Sequence, residues 1–327
     1  MVNRLTGKNV LVTGGAGFIG SNLVESLLES GNMVTCLDNF ITGRRENIRE
    51  FAGKKKFRLI EGDIRDYETC RKAVENIDIV FHQAALGSVP RSLLDPVTSV
   101  DINIGGFVRI LFASKEAGVK RFIYAASSSV YGDNEKLPKT EEDTGRQLSP
   151  YAITKYADEL FAGNFAGAYG IDVIGLRYFN VFGRRQDPDG PYAAVIPKFV
   201  KDLKMHRQPV INGDGSISRD FTYVDNVIQA NHCAAVVADR KALNTVYNVA
   251  CGRQTSLLRM FELLRDNASV YDSAVNDLKP VFGPDRAGDI QHSLASIEKA
   301  RRFLGYEPVY SIEDGLREAV GWYWTNL

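Results

Sequence analysis

The sequence is poor in the residues that build metal and disulfide sites. Among its 327 residues there are four cysteines and four histidines. Cys36, Cys70, Cys233 and Cys251 form no C-x-x-C pair, and none lies near histidines at ligand spacing. Neither a zinc site nor any other metal centre is expected, nor a disulfide framework. Scattered thiols suit a reducing compartment, and no signal stretch precedes the first strand pattern, so a cytoplasmic protein is expected. Net charge is also missing: 40 Lys+Arg balance 40 Asp+Glu. That balance gives no pull toward nucleic acid or an anionic membrane, so an anionic ligand must be met by local basic residues. No apolar run approaches the ~20 residues a bilayer requires. There are no repeats or long charge runs, and Lys54, Lys55 and Lys56 read as a solvated loop.

What is present is alternation. Short apolar runs at 9–13, 33–37, 57–61, 79–82, 121–125 and 172–176 read as strands, rich enough in Val, Ile, Leu and Phe to be buried on both faces. Between them, 19–29, 97–118 and 151–169 read as amphipathic helices. This rhythm predicts an α/β fold with a doubly wound parallel sheet of the Rossmann type. It changes after Asn180, where Gly, Pro and Asp cluster at 183–191 and 213–215. The chain is therefore divided at 1–180 and 181–327, the second part a smaller α/β region that completes a pocket, with some chain crossing between the two.

The first strand runs into Gly14-Gly15-Ala16-Gly17-Phe18-Ile19-Gly20 and then a helix. Gly14 suits the tight turn, Gly17 the approach of a pyrophosphate and Gly20 close helix–sheet packing, with the helix N-terminus facing the phosphates. Asp38 ends the second strand, where a carboxylate accepts from ribose hydroxyls and repels a 2′-phosphate. NAD is thus expected over NADP, although Arg44 and Arg45 lie nearby. Asp63 follows the third strand and serves either the adenine amine or a turn.

Tyr151 and Lys155 stand four residues apart behind Ser149-Pro150, an N-cap followed by proline at N1, so both fall on one helical face. A tyrosine is a poor base at neutral pH, with a free pKa of about 10. An ammonium and a cationic nicotinamide both favour its phenolate, which can then take a hydroxyl proton as hydride leaves the carbon. Ser127-Ser128-Ser129 ends the fifth strand, where ligands meet such sheets. His82 ends an apolar strand and reads as structural, as do His206 and His232 in helical patterns.

Taken together, 13–20, Asp38-Asn39, Gly62-Asp63, His82-Gln83-Ala84-Ala85, 127–132, Tyr151-x-x-x-Lys155 and 177–183 resemble the extended short-chain dehydrogenase/reductase superfamily. The spacing and C-terminal half resemble UDP-hexose 4-epimerases over essentially the whole chain. The resemblance implies tightly bound NAD, with Tyr151 as base, Ser127 as its helper and Lys155 as activator. It also implies cofactor contacts from Gly14, Gly17, Phe18, Ile19, Gly20, Asp38, Asn39, Gly43, Asp63, Ile64, Gln83, Ala84, Ala85 and Tyr178. Dehydratases and decarboxylases of this superfamily carry acids just after the helper residue, where this chain has Ser128 and Ser129. Epimerisation is therefore ranked above elimination.

On the substrate side the resemblance implies a UDP-sugar. Arg219 and Arg286 face its diphosphate, Asn180 reaches it, and Ile211 and Asn212 belong to the strand beside uracil; Val195, Lys198 and Asp289 are further substrate contacts. Gly87, Ser128, Asn180, Gln186, Ala194 and Ser293 surround the sugar, with Ser129 a further substrate contact, and the serine at 293 leaves room for an acetamido group. The expected reaction is C4 inversion between UDP-N-acetylglucosamine and UDP-N-acetylgalactosamine, with UDP-glucose and UDP-galactose as slower substrates. Two alternatives stand beside it. One is a UDP-glucuronate-type epimerase, with Arg91 and Arg185 meeting the carboxylate. The other is a non-catalytic NAD-binding sensor on the same fold. A homodimer through the helices at 97–118 and 151–169 is also implied.

Overall fold

The computed structural model describes residues 4–189, 194–284 and 290–327. Its centre is a seven-stranded sheet of β1 (Asn9–Thr13), β2 (Met33–Asp38), β3 (Phe57–Glu61), β4 (Ile79–His82), β5 (Arg121–Ser127), β6 (Asp172–Tyr178) and β7 (Thr245–Val249). In space these run β7-β6-β5-β4-β1-β2-β3, and every neighbouring pair is parallel. The doubly wound sheet expected from the alternation is therefore present. Its strand order reverses at β1, so the loops after β1 and β4 part and leave a crevice at their carboxyl ends.

β1, β3 and β4 have the bounds of their apolar runs. β2, β5 and β6 run further, to Asp38, Ser127 and Tyr178, because ladder pairing continues past the apolar stretch, as at Ser127↔Tyr178. The extension carries three polar side chains to the crevice. Successive residues serve opposite faces. Val10 and Val12 join Leu23, Val24 and Leu27 in one core, while Leu11 joins Val80, Phe122, Ile110 and Leu111 in the other.

β7 comes from beyond residue 180 and pairs with β6 along its length. It has no counterpart among the six strands read from the sequence. Its Tyr247 and Val249 are fully buried, so tertiary packing makes this strand where the alternating rhythm has already lapsed. Further on, the helices Val195–Lys204, Leu257–Ala268 and Ile312–Asn326 pack together. The Asp220 carboxylate accepts from the N–H groups of Cys251, Gly252 and Ala295, tying three crossing segments together.

The helix expected at 97–118 needs two corrections. It is an α-helix at Pro96–Val100 and again at Phe107–Glu116, with π-type turns over Asp101–Gly106. A Cβ on Gly106 would sit 2.5 Å from Ile64 Cδ1, so the glycine admits a close approach there. Moreover, Pro96–Glu116 spans 21 residues and is apolar enough to cross a membrane by length and composition, contrary to the reading above. Half of its apolar window is buried, and Phe107, Ile110 and Leu111 sit in the core, so it behaves as a core helix of the sheet layer. His206 also differs: it lies past the end of its helix in a left-handed conformation (φ 53°) and meets Asp272 at 2.7 Å.

Candidate active site

The crevice opens on the glycine loop. Gly14 has φ 67°, and a Cβ there would lie 2.7 Å from the Ala84 backbone; one on Gly20 would lie 2.1 Å from the Gly14 carbonyl oxygen. The helix Phe18–Glu29 begins at Gly17 with no side-chain cap and no acid in its first turn. Its first N–H groups are thus left for an anion, and Gly14, Gly17, Phe18, Ile19 and Gly20 all line the cleft. A cradle that side chains would fill, ending in uncapped amides, fits the pyrophosphate of a dinucleotide.

Asp38 stands beside that cradle. Its carboxylate accepts from Ala16 N–H at 2.9 Å and Phe40 N–H at 2.8 Å. Burial raises the carboxyl, with the amides pulling against it. Gly43 backs it, since a Cβ there would lie 2.7 Å from the carboxylate. Arg44 and Arg45 are engaged elsewhere, Arg44 with Asp187 at 2.5 Å and Arg45 with Glu61 at 2.6 Å. The Asp63 carboxylate closes a turn onto Arg65 N–H and also binds the Arg65 guanidinium and Asn39. Arg65 holds it down to about 2. Asn39, Gly62 and Ile64 line the cleft around it.

The opposite wall is the loop after β4, where Gln83, Ala84, Ala85 and Gly87 line the cleft. Gln83 Oε1 accepts from the Tyr178 hydroxyl at 3.2 Å, and that hydroxyl accepts from Asn231 at 2.9 Å. His82 is buried between Phe107 and Phe122 and hydrogen-bonds Thr13 at 2.8 Å. Burial, helped by Lys155, pushes it down to about 3, so it is neutral. The structural reading of this histidine stands.

The helix Pro150–Tyr169 begins as the sequence predicts. Ser149 Oγ accepts from Ala152 N–H, Pro150 follows the cap, and Gly170 ends the helix at φ 72°. Ser92 Oγ accepts from Tyr151 N–H at 3.0 Å, and Asn103 joins Thr154 of this helix to both backbone groups of Leu86. Lys155 is buried and donates to the Ala125 carbonyl at 2.9 Å and to Asp158 at 3.3 Å. Ser127, Tyr151 and Lys155 line the same cleft as the glycine loop and Asp38. Ser92, Asn103 and Asp158 were not singled out from the sequence. Their one signal there is a polar residue at an inward position of an otherwise apolar helical stretch.

The residues expected around the sugar nucleotide divide three ways. Gly87 and Asn180 line the cleft, and Asn180 is held at φ 38° by its own bond to the Asp220 carbonyl. Ser293 N–H donates to the Ser218 carbonyl, which also accepts from Arg219, so Ser293 and Arg219 are neighbours. Gln186 is half-buried and bonded to the Val181 carbonyl and the Tyr323 hydroxyl. Ser128, Ser129, Gln186, Ala194, Val195, Lys198, Ile211, Asn212, Arg219 and Ser293 do not line the cleft. The Ile211 side chain is in the core, and its strand pairs with Val281–Gly283. Arg286 and Asp289 lie outside the described residues.

A parallel sheet with a glycine-rich first turn, an acid ending its second strand and a Tyr/Lys pair in the same cleft define a dinucleotide-dependent enzyme. The profile of the NAD dependent epimerase/dehydratase family matches residues 10–250. The chain belongs to that family, and its cofactor is NAD. A putative UDP-glucose 4-epimerase of Methanocaldococcus jannaschii is 35% identical, over 97% of this chain and 99% of its own. The UDP-N-acetylglucosamine 4-epimerase of Methanobrevibacter ruminantium, solved with UDP-N-acetylmuramic acid, is 38% identical with a TM-score of 0.92, covering 99% of this chain and 100% of its own. The UDP-glucose 4-epimerase of Thermotoga maritima, solved with UDP-glucose, is 37% identical with a TM-score of 0.88, covering 96% and 98%.

Proposed function

We propose that this enzyme inverts C4 of UDP-N-acetylglucosamine and UDP-N-acetylgalactosamine, and turns over UDP-glucose and UDP-galactose more slowly. The observation that carries the reading is the convergence of Ser127, Tyr151 and Lys155 on the cleft that the glycine loop opens. NAD bound there supplies what the side chains lack, a carrier that takes hydride from C4 and gives it back with no net oxidation. Tyr151 takes the proton of the C4 hydroxyl and later returns it. Lys155 is pinned by the Ala125 carbonyl and favours the phenolate by its charge. Ser127 faces the same space and shares the hydrogen bond of the reacting oxygen.

Elimination needs an acid beside Ser127. Instead the Ser129 hydroxyl bonds Ser127 Oγ at 3.0 Å, and no carboxyl stands in that run. A uronate reading asks Arg185 to meet a carboxylate. Arg185 already binds Glu25 at 2.9 Å and also Glu50, which leaves the reading without that support. In the division of labour we propose, residues 1–180 hold NAD and 181–327 hold UDP, with Arg219 and Arg286 at the diphosphate. Incubation of the purified enzyme with UDP-N-acetylglucosamine, followed by NMR, gives UDP-N-acetylgalactosamine. No conversion by NAD-loaded protein would leave the non-catalytic binding reading in its place.

Ser293 gates the acetamido group in this proposal. Ser293→Tyr is expected to lower kcat/KM for the acetylated sugar at least tenfold more than for UDP-glucose, since a ring fills the added volume. An equal loss on both sugars removes the gate. The second proposal concerns assembly. Leu93, Leu94, Val97, Ile153, Leu160 and Phe161 are exposed on the neighbouring helices Val89–Leu94, Pro96–Val100 and Pro150–Tyr169. A second copy packed on this face covers them. Sedimentation equilibrium is expected to show a dimer that Leu160→Glu dissociates, and a wild-type monomer would end the proposal.

A further inference from the structure

The helix that carries Tyr151 and Lys155 also carries a carboxylate to which the reaction above gives no task. Asp158 is fully buried, one turn beyond Lys155. Its Oδ2 accepts from Lys155 Nζ at 3.3 Å, and its Oδ1 is buried with no hydrogen-bond partner. The next residue, Glu159, is committed to another cation, gripping the Arg177 guanidinium at 2.8 and 2.7 Å. Two successive carboxylates thus serve two different cations, and only Asp158 serves the lysine that lines the cleft. Burying a half-satisfied carboxylate is costly, and an apolar residue at this position would spare that cost.

We propose that Asp158 is a positioning residue for catalysis, anchoring the Lys155 ammonium and setting by its own charge how strongly that ammonium favours the Tyr151 phenolate. The inference rests on the roles given to Tyr151 and Lys155 above. The field at the phenol is the sum of both charges. When Asp158 is ionised, the ammonium is partly cancelled; when it is protonated, the ammonium acts unopposed.

The groups facing Asp158 are few. Lys155 and Glu159 act on it from its own helix. Tyr124 faces it from β5, its hydroxyl raised by burial and by both carboxylates. Arg177 on β6 answers Glu159. Among the described residues, the helices Val89–Leu94, Pro96–Val100 and Phe107–Glu116 pack on the catalytic helix but bring no charge that acts on Asp158. His82 on β4, which feels the Lys155 charge, is neutral. Burial pushes the Asp158 carboxyl up to about 7, with Lys155 pulling against it. Its charge therefore changes within the working pH range.

The test is the pH profile of kcat/KM for UDP-N-acetylglucosamine, measured on NAD-loaded wild type, Asp158→Asn and Asp158→Ala from about pH 5 to about pH 10. Below about pH 7 the wild-type Asp158 is protonated, so the neutral variants share its acid limb. Above that the wild type's anion holds the ammonium and the variants have none, so their alkaline limb shifts down by about one unit. Asp158→Ala, which also frees the ammonium from its tether, adds a fall in kcat at every pH. A purely structural role lowers the rate without moving either limb. An unmoved alkaline limb in the variants that retain NAD would overturn the proposal. Tyr151→Phe, run alongside, separates the two levels. If that variant stays active, the underlying roles fail; if it is inactive while the alkaline limb stays put, only the part given to Asp158 fails.

Discussion

On the proposed function, Tyr151→Phe is expected to lower turnover of UDP-N-acetylglucosamine by about 10²–10⁴-fold, the usual worth of a positioned acid–base group, while NAD stays bound. The change removes one oxygen from a half-buried side chain. It leaves intact the Ser149 cap and the Ser92 bond to the Tyr151 amide, which hold the start of the helix. Among the described residues, no other side chain lining the cleft replaces the phenol. Ser127 is a weak acid and a weaker base, and Lys155 spends two of its donors on Ala125 and Asp158. The loss should appear in kcat more than in KM, because the phenol acts on the reacting oxygen and not on UDP. NMR turnover together with NAD content checks this. Turnover within a few-fold of wild type would place the base elsewhere.

Gly20→Ala empties the cofactor site. The added Cβ would lie 2.1 Å from the Gly14 carbonyl oxygen and 2.8 Å from its carbon. These are backbone atoms of the turn and cannot rotate aside as a flexible side chain would. Relief requires the first helix to withdraw from β1, and that motion carries away the amides that face the pyrophosphate. Overpacking of this kind costs about 1–3 kcal/mol in stability, and the loss of bound NAD removes its ligand stabilisation as well. The purified variant is expected to carry little NAD and to melt below wild type. Absorbance of released nucleotide and a thermal melt measure both effects. Full NAD occupancy in Gly20→Ala would show that the turn has slack the packing does not suggest.

The sheet was legible because its strands are buried on both faces. A continuous apolar run such as Val10-Leu11-Val12 has few other places to go. The glycine turn and the Ser149-Pro150 helix start were legible because each is local chemistry with a short reach. β7 was hidden because its five residues owe their conformation to β6 and the surrounding core, which are far away in sequence. The π-type turns at Asp101–Gly106 were hidden for a similar reason: Gly106 answers to Ile64, across the fold. In the site, residues whose task is set by type and spacing could be read. Those that act through another residue, Ser92 on the Tyr151 amide and Asp158 on Lys155, required the geometry. The partners of Arg185 likewise emerge only in three dimensions, because Glu25 and Glu50 are remote in the chain and several acids compete for each arginine.

The central claim is that the hydrogen leaving C4 is the one that returns, with Tyr151 moving only the hydroxyl proton. Running the epimerisation in D₂O and reading C4 of the product by NMR and mass spectrometry tests it directly. Protium at C4 after many turnovers is the expected result, since a hydride passed to the cofactor and back does not exchange with solvent. Deuterium at C4 would mean that the carbon was deprotonated to solvent, and the chemistry assigned to this cleft would be contradicted.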